Sequence, residues 1–191
     1  RQPIFTRKKD VEIFDQLITY YTQIEPPVKF SYYKTNPEKY ILNFKNRLVT
    51  IISYCWMPNH FHIPVRQDHD QGIQKFMQRV LNSFSHYIRI KYGSKGSLFE
   101  SAFRSVLVET NEQLMHLSRY HHLNPVTAHI VENPEDYTYS SYRIYLQNQK
   151  TPTVDPTLIL SNFSSIKNYR KFVMDRKEYQ RDLDKVKHLV F

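Results

Sequence analysis

The feature that most constrains the fold is a pair of β-forming segments separated by the turn residues Pro58-Asn59. Residues 47–57 (RLVTIISYCWM) are rich in β-branched and aromatic side chains, and residues 60–67 (HFHIPVRQ) alternate in character. Because Pro and Asn favour turns, the two segments are predicted to form a β-hairpin. Pro64 has no amide N–H, which predicts a bend or an edge position in the second strand.

Helical periodicity flanks this hairpin. The most regular apolar stripe extends through about Tyr92, with Phe76, Val80 and Phe84 among its members. A shorter amphipathic helix is predicted from Asp10 to about Ile24.

Downstream, residues 103–109 (FRSVLVE) predict another strand. The capping box at residues 110–113 predicts a helix that Pro125 ends. Strands and helices mixed in this way indicate an α+β chain.

The amino-acid composition limits the kinds of molecule that the chain is expected to bind. Among 191 residues, 27 Lys+Arg against 18 Asp+Glu give a net charge of +9, which favours a polyanionic partner. The 15 Tyr and 12 Phe could stack on unpaired bases or pack in the core. The single cysteine, Cys55, excludes an internal disulfide and fits a reducing cytoplasm. Apolar runs stay well short of the roughly 18 residues of a membrane helix, so no membrane contact is expected.

A composition change bracketed by Pro152 and Pro156 predicts a boundary. Residues 1–150 are predicted to form the main domain, and residues 151–191 a small C-terminal helical extension with a helix from Ser164 to about Gln180.

Two residue patterns indicate possible metal binding and catalysis. His60 and His62 are two residues apart on a predicted strand, so their imidazoles share a side and could chelate a divalent cation. Tyr120 and Asn124 share a helix face. A tyrosine hydroxyl becomes a useful nucleophile when a metal polarises its target phosphate, whereas Tyr120 could equally be one of many core tyrosines.

Several blocks together resemble the signature of the HUH single-tyrosine transposases, in their REP-associated branch. They occur in the family's order across residues 10–147, namely WMPNHFHIPV (56–65), SLF (97–99), FRSVLV (103–108), LSRYHHLNPV (117–126), EDY (135–137) and SSYR (140–143).

The resemblance implies a ferredoxin-like antiparallel sheet with helices packed on one face. It implies that His60 and His62 hold Mg²⁺ or Mn²⁺, that Asn124 helps complete the metal site, and that Tyr120 is the nucleophile. The implied partner is hairpin-bearing single-stranded DNA in a bacterial cytoplasm, and both a monomer and a dimer remain open.

Under this hypothesis Tyr120 attacks a DNA phosphate and leaves a 5′-phosphotyrosine and a free 3′-OH. Arg104 and Arg119 flank the predicted site and lead the candidates for backbone contacts. The other basic candidates are Lys75, Arg79, Arg89, Lys91 and Lys95.

The sequence departs from the family pattern in three places. The family usually begins with a strand ahead of the position of Arg1, and the sequence does not contain it. Residues 26–45 correspond to an insertion, and Pro64 replaces a more usual aliphatic residue.

Two other functions remain open. A DNA-hairpin binding protein without catalysis would form no covalent adduct. A small metallohydrolase would activate water with His60 and His62 and would not need Tyr120, but no paired carboxylate lies near the two histidines in the sequence.

Overall fold

The computed structural model describes residues 3–99 and 103–177 and confirms the α+β class. Its small antiparallel sheet and several helices are compatible with the predicted ferredoxin-like arrangement. The helices are α1 (Lys8–Tyr21), α2 (Phe30–Thr35), α3 (Gly72–Tyr92), α4 (Asn111–Thr127), α5 (Tyr142–Leu146), α6 (Thr157–Leu160) and α7 (Ile166–Met174). The strands are β1 (Val49–Ile51), β2 (Cys55–Met57), β3 (His60–His62) and β4 (Val65–Gln67), and 3₁₀ turns cover Pro37–Lys39 and Pro134–Asp136.

The predicted hairpin is present but divided into two short ladders. β2 pairs antiparallel with β3 across the Pro58-Asn59 turn, and β1 pairs with β4. Between the ladders, the amide of Ile52 donates to the carbonyl of Pro64 over 2.9 Å. Pro64 has no N–H to donate, so the hydrogen-bond ladder breaks there.

The chain divides into two compact units. Unit 1 comprises residues 1–50 and 65–105, and unit 2 comprises residues 51–64 and 106–191. In unit 1, α1 packs against α3 around three phenylalanines. The ring centroids of Phe5 and Phe84 lie 5.1 Å and 5.0 Å from that of Phe14, so aromatic packing joins the two helices.

A buried carboxylate also joins α1 to α3. Asp10 has no exposed surface and accepts hydrogen bonds from the Lys91 ammonium at 2.6 Å, the Tyr92 hydroxyl at 2.7 Å and the Tyr87 hydroxyl at 2.9 Å. Burial alone would raise the pKa of Asp10, but these hydrogen bonds outweigh it and hold that pKa below the ordinary 3.8. The ionised form is therefore the one that stabilises unit 1.

We expect Asp10→Asn to lower the free energy of unfolding by about 2 kcal/mol at pH 7, because the donors of Tyr87, Lys91 and Tyr92 lose their charged acceptor. Since the folded pKa lies below 3.8, wild type has the full advantage above that pH and loses it as the pH falls further. Urea unfolding at pH 7 and pH 3 measures the effect. The exposed Glu38→Gln serves as control, and an Asp10→Asn deficit of the same size at both pH values would contradict the prediction.

In unit 2, β2 forms the centre of the core. β3 occupies one edge of β2, and the segment around Ser140 occupies the other through an antiparallel bridge to Cys55. The Trp56 carbonyl accepts a hydrogen bond from the Tyr137 hydroxyl at 2.6 Å. The Trp56 ring is buried and stacks on Tyr54 with centroids 4.5 Å apart. These contacts fix the position of β2, and β2 in turn positions β3, to which it is hydrogen-bonded.

Two predictions about elements were wrong. Residues 103–109 form neither helix nor strand, and Val106 and Leu107 are 89% and 80% exposed. β-Propensity describes how well a residue suits a paired strand, and no strand within residues 3–99 or 103–177 pairs with this segment. Pro125 lies inside α4, near its C-terminal end, and the helix continues past it to Thr127.

The C-terminal helix α7 ends at Met174, and its predicted end at Gln180 lies outside the described residues. The division of the chain near residue 150 stays a prediction. Within the described ranges, none of the helices has the length and apolar character needed to cross a membrane.

Candidate active site

The two predicted metal-binding histidines lie on β3, at the edge of the β2–β3 ladder. Alternation along the strand places both imidazoles on one face, with ring centroids 4.8 Å apart. Nδ1 of His60 lies 2.7 Å from Oδ1 of Asn59. In the tautomer that carries its proton on Nδ1, His60 donates to this oxygen and Nε2 is the ring nitrogen whose lone pair suits a metal ion.

His62, like His60, is half-buried. Burial, with a smaller contribution from His60, lowers the pKa of His62 to about 4, so its ring is neutral near pH 7. Its Nε2 is buried, and no hydrogen-bond partner for it is found among the described residues. A buried nitrogen in that state costs about 1–3 kcal/mol and points to a ligand that completes the site.

Tyr120 reaches this face from α4. Thr110 caps the helix: its hydroxyl accepts from the Gln113 amide at 3.1 Å, which confirms the predicted capping box. The Tyr120 ring centroid lies 5.8 Å from that of His62. The Tyr120 side of the helix is open to solvent, with 37% of the residue exposed, whereas residues 121–127 are buried. A substrate can therefore reach Tyr120 beside His62.

Asn124 lies one turn beyond Tyr120 on α4 and is 7% exposed. Its Nδ2 is a second buried polar atom for which the described residues offer no hydrogen-bond partner. Rotating the amide by half a turn would present Oδ1 instead, which is the atom a hard cation takes. An amide oxygen and an imidazole nitrogen are both ligand types that divalent cations accept, so Asn124 stays a predicted metal ligand together with His60 and His62.

His121 is a site residue to which the sequence assigned no role. Its ring stacks on that of His62, with centroids 4.7 Å apart and planes 19° apart. Burial, with smaller contributions from His62 and His122, lowers the pKa of His121 to about 2, so it stays neutral. The ring packs flat on His62 and restricts its orientation. In the sequence, only the pair His121-His122 directly after Tyr120 hinted at a further site residue. The sequence does not reveal which of two adjacent helix positions contacts the site.

His122 ties α4 to the C-terminal helix. Its Nδ1 lies 2.8 Å from the Tyr169 hydroxyl on α7, and its Nε2 lies 2.9 Å from the Ser141 hydroxyl. Burial lowers the pKa of His122 to about 3, so this buried network is neutral. Both ring nitrogens are thereby satisfied, and the helix that carries Tyr120 is held in one orientation.

The basic candidates have different surroundings. Arg119 belongs to unit 2, where its guanidinium lies 4.4 Å from the Phe172 ring centroid and donates to Nδ1 of His116 at 2.5 Å. Arg79 donates to the carbonyls of Gln23 and Ile24 at 3.2 Å and 3.0 Å.

Lys91 is bound by Asp10. Lys75 is half-buried, and the exposed candidates are Arg89, Lys95 and Arg104. Their DNA contacts, like those of Arg79, Lys91 and Arg119, stay predictions.

Within the described residues, no group of three His, Cys, Asp or Glu side chains could hold a metal ion. A cation held by His60 and His62 therefore needs other ligands, such as an amide, water or a phosphate of the substrate.

Comparison with known proteins supports the predicted family. Residues 32–122 match the family model described as "Transposase IS200 like". The matched range includes His60, His62 and Tyr120 and ends before Asn124. Neither a curated protein nor a solved structure matched the chain. The match supports the transposase family, and with it a function in DNA transposition with DNA as the partner.

Proposed function

We propose that this chain is an HUH-type endonuclease and strand transferase, of the REP-associated branch, that cleaves hairpin-bearing single-stranded DNA. The observation that carries the proposal is the 5.8 Å separation of the Tyr120 and His62 rings, which brings the candidate nucleophile to the face of β3 that carries both imidazoles. The match over residues 32–122 supports the same class.

In this reaction the Tyr120 hydroxyl oxygen forms a bond to the scissile phosphorus and releases its proton. The bond from phosphorus to the 3′ oxygen breaks, and that oxygen takes up a proton. The products are a 5′-phosphotyrosine and a free 3′-OH. Since one phosphodiester replaces another, a 3′-OH can later attack the phosphotyrosine and join strands without an external energy source.

The residues around Tyr120 have separate tasks. A Mg²⁺ or Mn²⁺ ion held by His60, His62 and Asn124 would polarise the scissile phosphate. His121 restricts the orientation of His62 by stacking, and the Asn59 side chain lies within hydrogen-bond distance of Nδ1 of His60.

We further propose that residues 1–150 form the catalytic domain and residues 151–191 an extension that steadies α4. Two contacts between α7 and α4 support this role of the extension. Tyr169 contacts His122, and Phe172 contacts Arg119.

The test uses a single-stranded oligonucleotide with one hairpin, labelled in turn at each end, with Mn²⁺ and a denaturing gel. We expect the 3′-labelled strand to migrate as a protein adduct and the 5′-labelled strand to yield a shorter free fragment. A chelator should abolish both products. Cleavage without an adduct would instead identify a metallohydrolase, and chelator-insensitive binding without cleavage would identify a hairpin-binding protein; both outcomes contradict the proposal.

A further inference from the structure

A group of cationic side chains in unit 1 lies on the rings of two tyrosines of α3. The Lys34 ammonium lies 5.5 Å from the Tyr87 ring centroid, and the Lys91 ammonium lies 5.2 Å from the same centroid and 5.0 Å from that of Tyr92. The Arg7 guanidinium lies 6.0 Å from the Tyr92 ring centroid. We name these five residues the lysine–tyrosine cluster.

The positive charge of this cluster is only partly compensated. Asp10 is fully buried and ion-pairs with Lys91 at 2.6 Å, so its charge is directed inward. Lys34 and Lys91 both lie near the Tyr87 ring. Burial lowers the pKa of Lys34, and repulsion from Lys9 and Lys91 lowers it further. An anion placed against the two ammonium groups would relieve that repulsion.

Contacts within the cluster restrict its cationic side chains, whereas isolated surface lysines lack such contacts. The ion pair with Asp10 fixes Lys91, and the ring contacts hold Lys34 and Arg7. Restricting these long side chains in advance reduces the entropy lost when they bind a ligand. Tyr92 is 36% exposed and adds an aromatic surface beside the cations.

We propose that the lysine–tyrosine cluster is a second DNA-contact surface, which holds backbone phosphates independently of base sequence. Lysine ammonium groups act as point charges toward phosphate and carry no base-reading geometry. The surface belongs to unit 1, whereas His60, His62 and Tyr120 belong to unit 2. The inference rests on the proposed function only for the identity of DNA as the partner.

The test measures binding of a fluorescent hairpin oligonucleotide by anisotropy at several salt concentrations. It uses the full chain carrying Tyr120→Phe, without added metal, so that cleavage does not consume the probe. Lys34→Ala is expected to raise Kd about threefold and to reduce the slope of log K against log salt by about 0.7–0.9, the value for one lost phosphate contact. Lys34→Glu should weaken binding further.

Lys45→Ala, at an exposed lysine of the same unit, is the matched control and should leave the slope unchanged. Lys34 is itself exposed and outside the hydrogen bonds to Asp10, so circular dichroism should show an unaltered fold. A Lys34→Ala slope equal to that of the control would overturn the proposal. So would an effect confined to one hairpin sequence and absent from a scrambled hairpin.

The two proposals fail separately. If wild type forms no covalent adduct but Lys34→Ala lowers the salt slope, the cluster is a DNA surface and the cleavage reaction is wrong. If the adduct forms and Lys34→Ala leaves both Kd and slope unchanged, the cleavage reaction stands and the cluster is only structural.

Discussion

Replacing Tyr120 with phenylalanine is expected to abolish the covalent DNA adduct while leaving the protein folded. The substitution removes only the hydroxyl that would attack phosphorus, so adduct formation should fall by about 10³-fold or more. The Tyr120 ring is 37% exposed, and phenylalanine keeps its contact with His62. The free energy of unfolding should therefore change by less than about 0.5 kcal/mol.

The matched control is Tyr32→Phe. Tyr32 is 62% exposed, more than Tyr120. If DNA reacted with accessible tyrosines without selection, Tyr32→Phe would therefore lower adduct formation at least as much as Tyr120→Phe. We expect this control to form adduct at the wild-type rate. Undiminished adduct formation by Tyr120→Phe, measured on a denaturing gel over time, would remove Tyr120 from the mechanism.

The second large effect is expected from His62→Ala. This change removes the ring that lies 4.8 Å from His60, 5.8 Å from Tyr120 and 4.7 Å from His121. Metal-supported cleavage should fall by about 10²-fold or more, since a residue that only orients a metal ligand is worth about 10- to 100-fold and a ligand itself is expected to be worth more. Calorimetric titration of Mn²⁺ into the Tyr120→Phe protein should show binding that disappears when His62→Ala is added.

The calorimetric readout separates a metal role from a packing role. If His62 only filled space between β3 and α4, its removal would lower stability and leave Mn²⁺ affinity unchanged. His69→Ala, at an exposed histidine of unit 1, is the control and should leave both cleavage and Mn²⁺ binding at wild-type levels. Wild-type Mn²⁺ affinity in His62→Ala would exclude His62 as a ligand.

Much of the local structure could be predicted. The apolar stripe from Phe76 to Phe84 predicted α3, which ends at Tyr92 as expected, and the capping box at Thr110 opens α4. Both signals depend on residues within a few positions of each other, and the helical period brings those residues together without any help from the rest of the chain.

The same reasoning failed where a partner was needed from elsewhere in the chain. Residues 103–109 have the composition of a strand, but a strand exists only when another strand supplies its hydrogen bonds. Charge also predicted Lys91 as a DNA contact, which stays a prediction, but the sequence did not reveal that its ammonium pairs with Asp10 on α1, 81 residues away. Charge alone does not reveal the nearest counter-charge.

The candidate site shows most clearly which features follow from the sequence and which follow from the tertiary structure. The sequence by itself determined that His60 and His62 share a strand face and that Tyr120 and Asn124 share a helix face, because period 2 and period 3.6 are properties of the backbone. Only the tertiary structure decided that the Tyr120 ring lies beside His62, that His121 stacks on His62, and that His122 is held by Tyr169. Those contacts join side chains from separate elements, and their distances follow from how helices and strands pack in three dimensions.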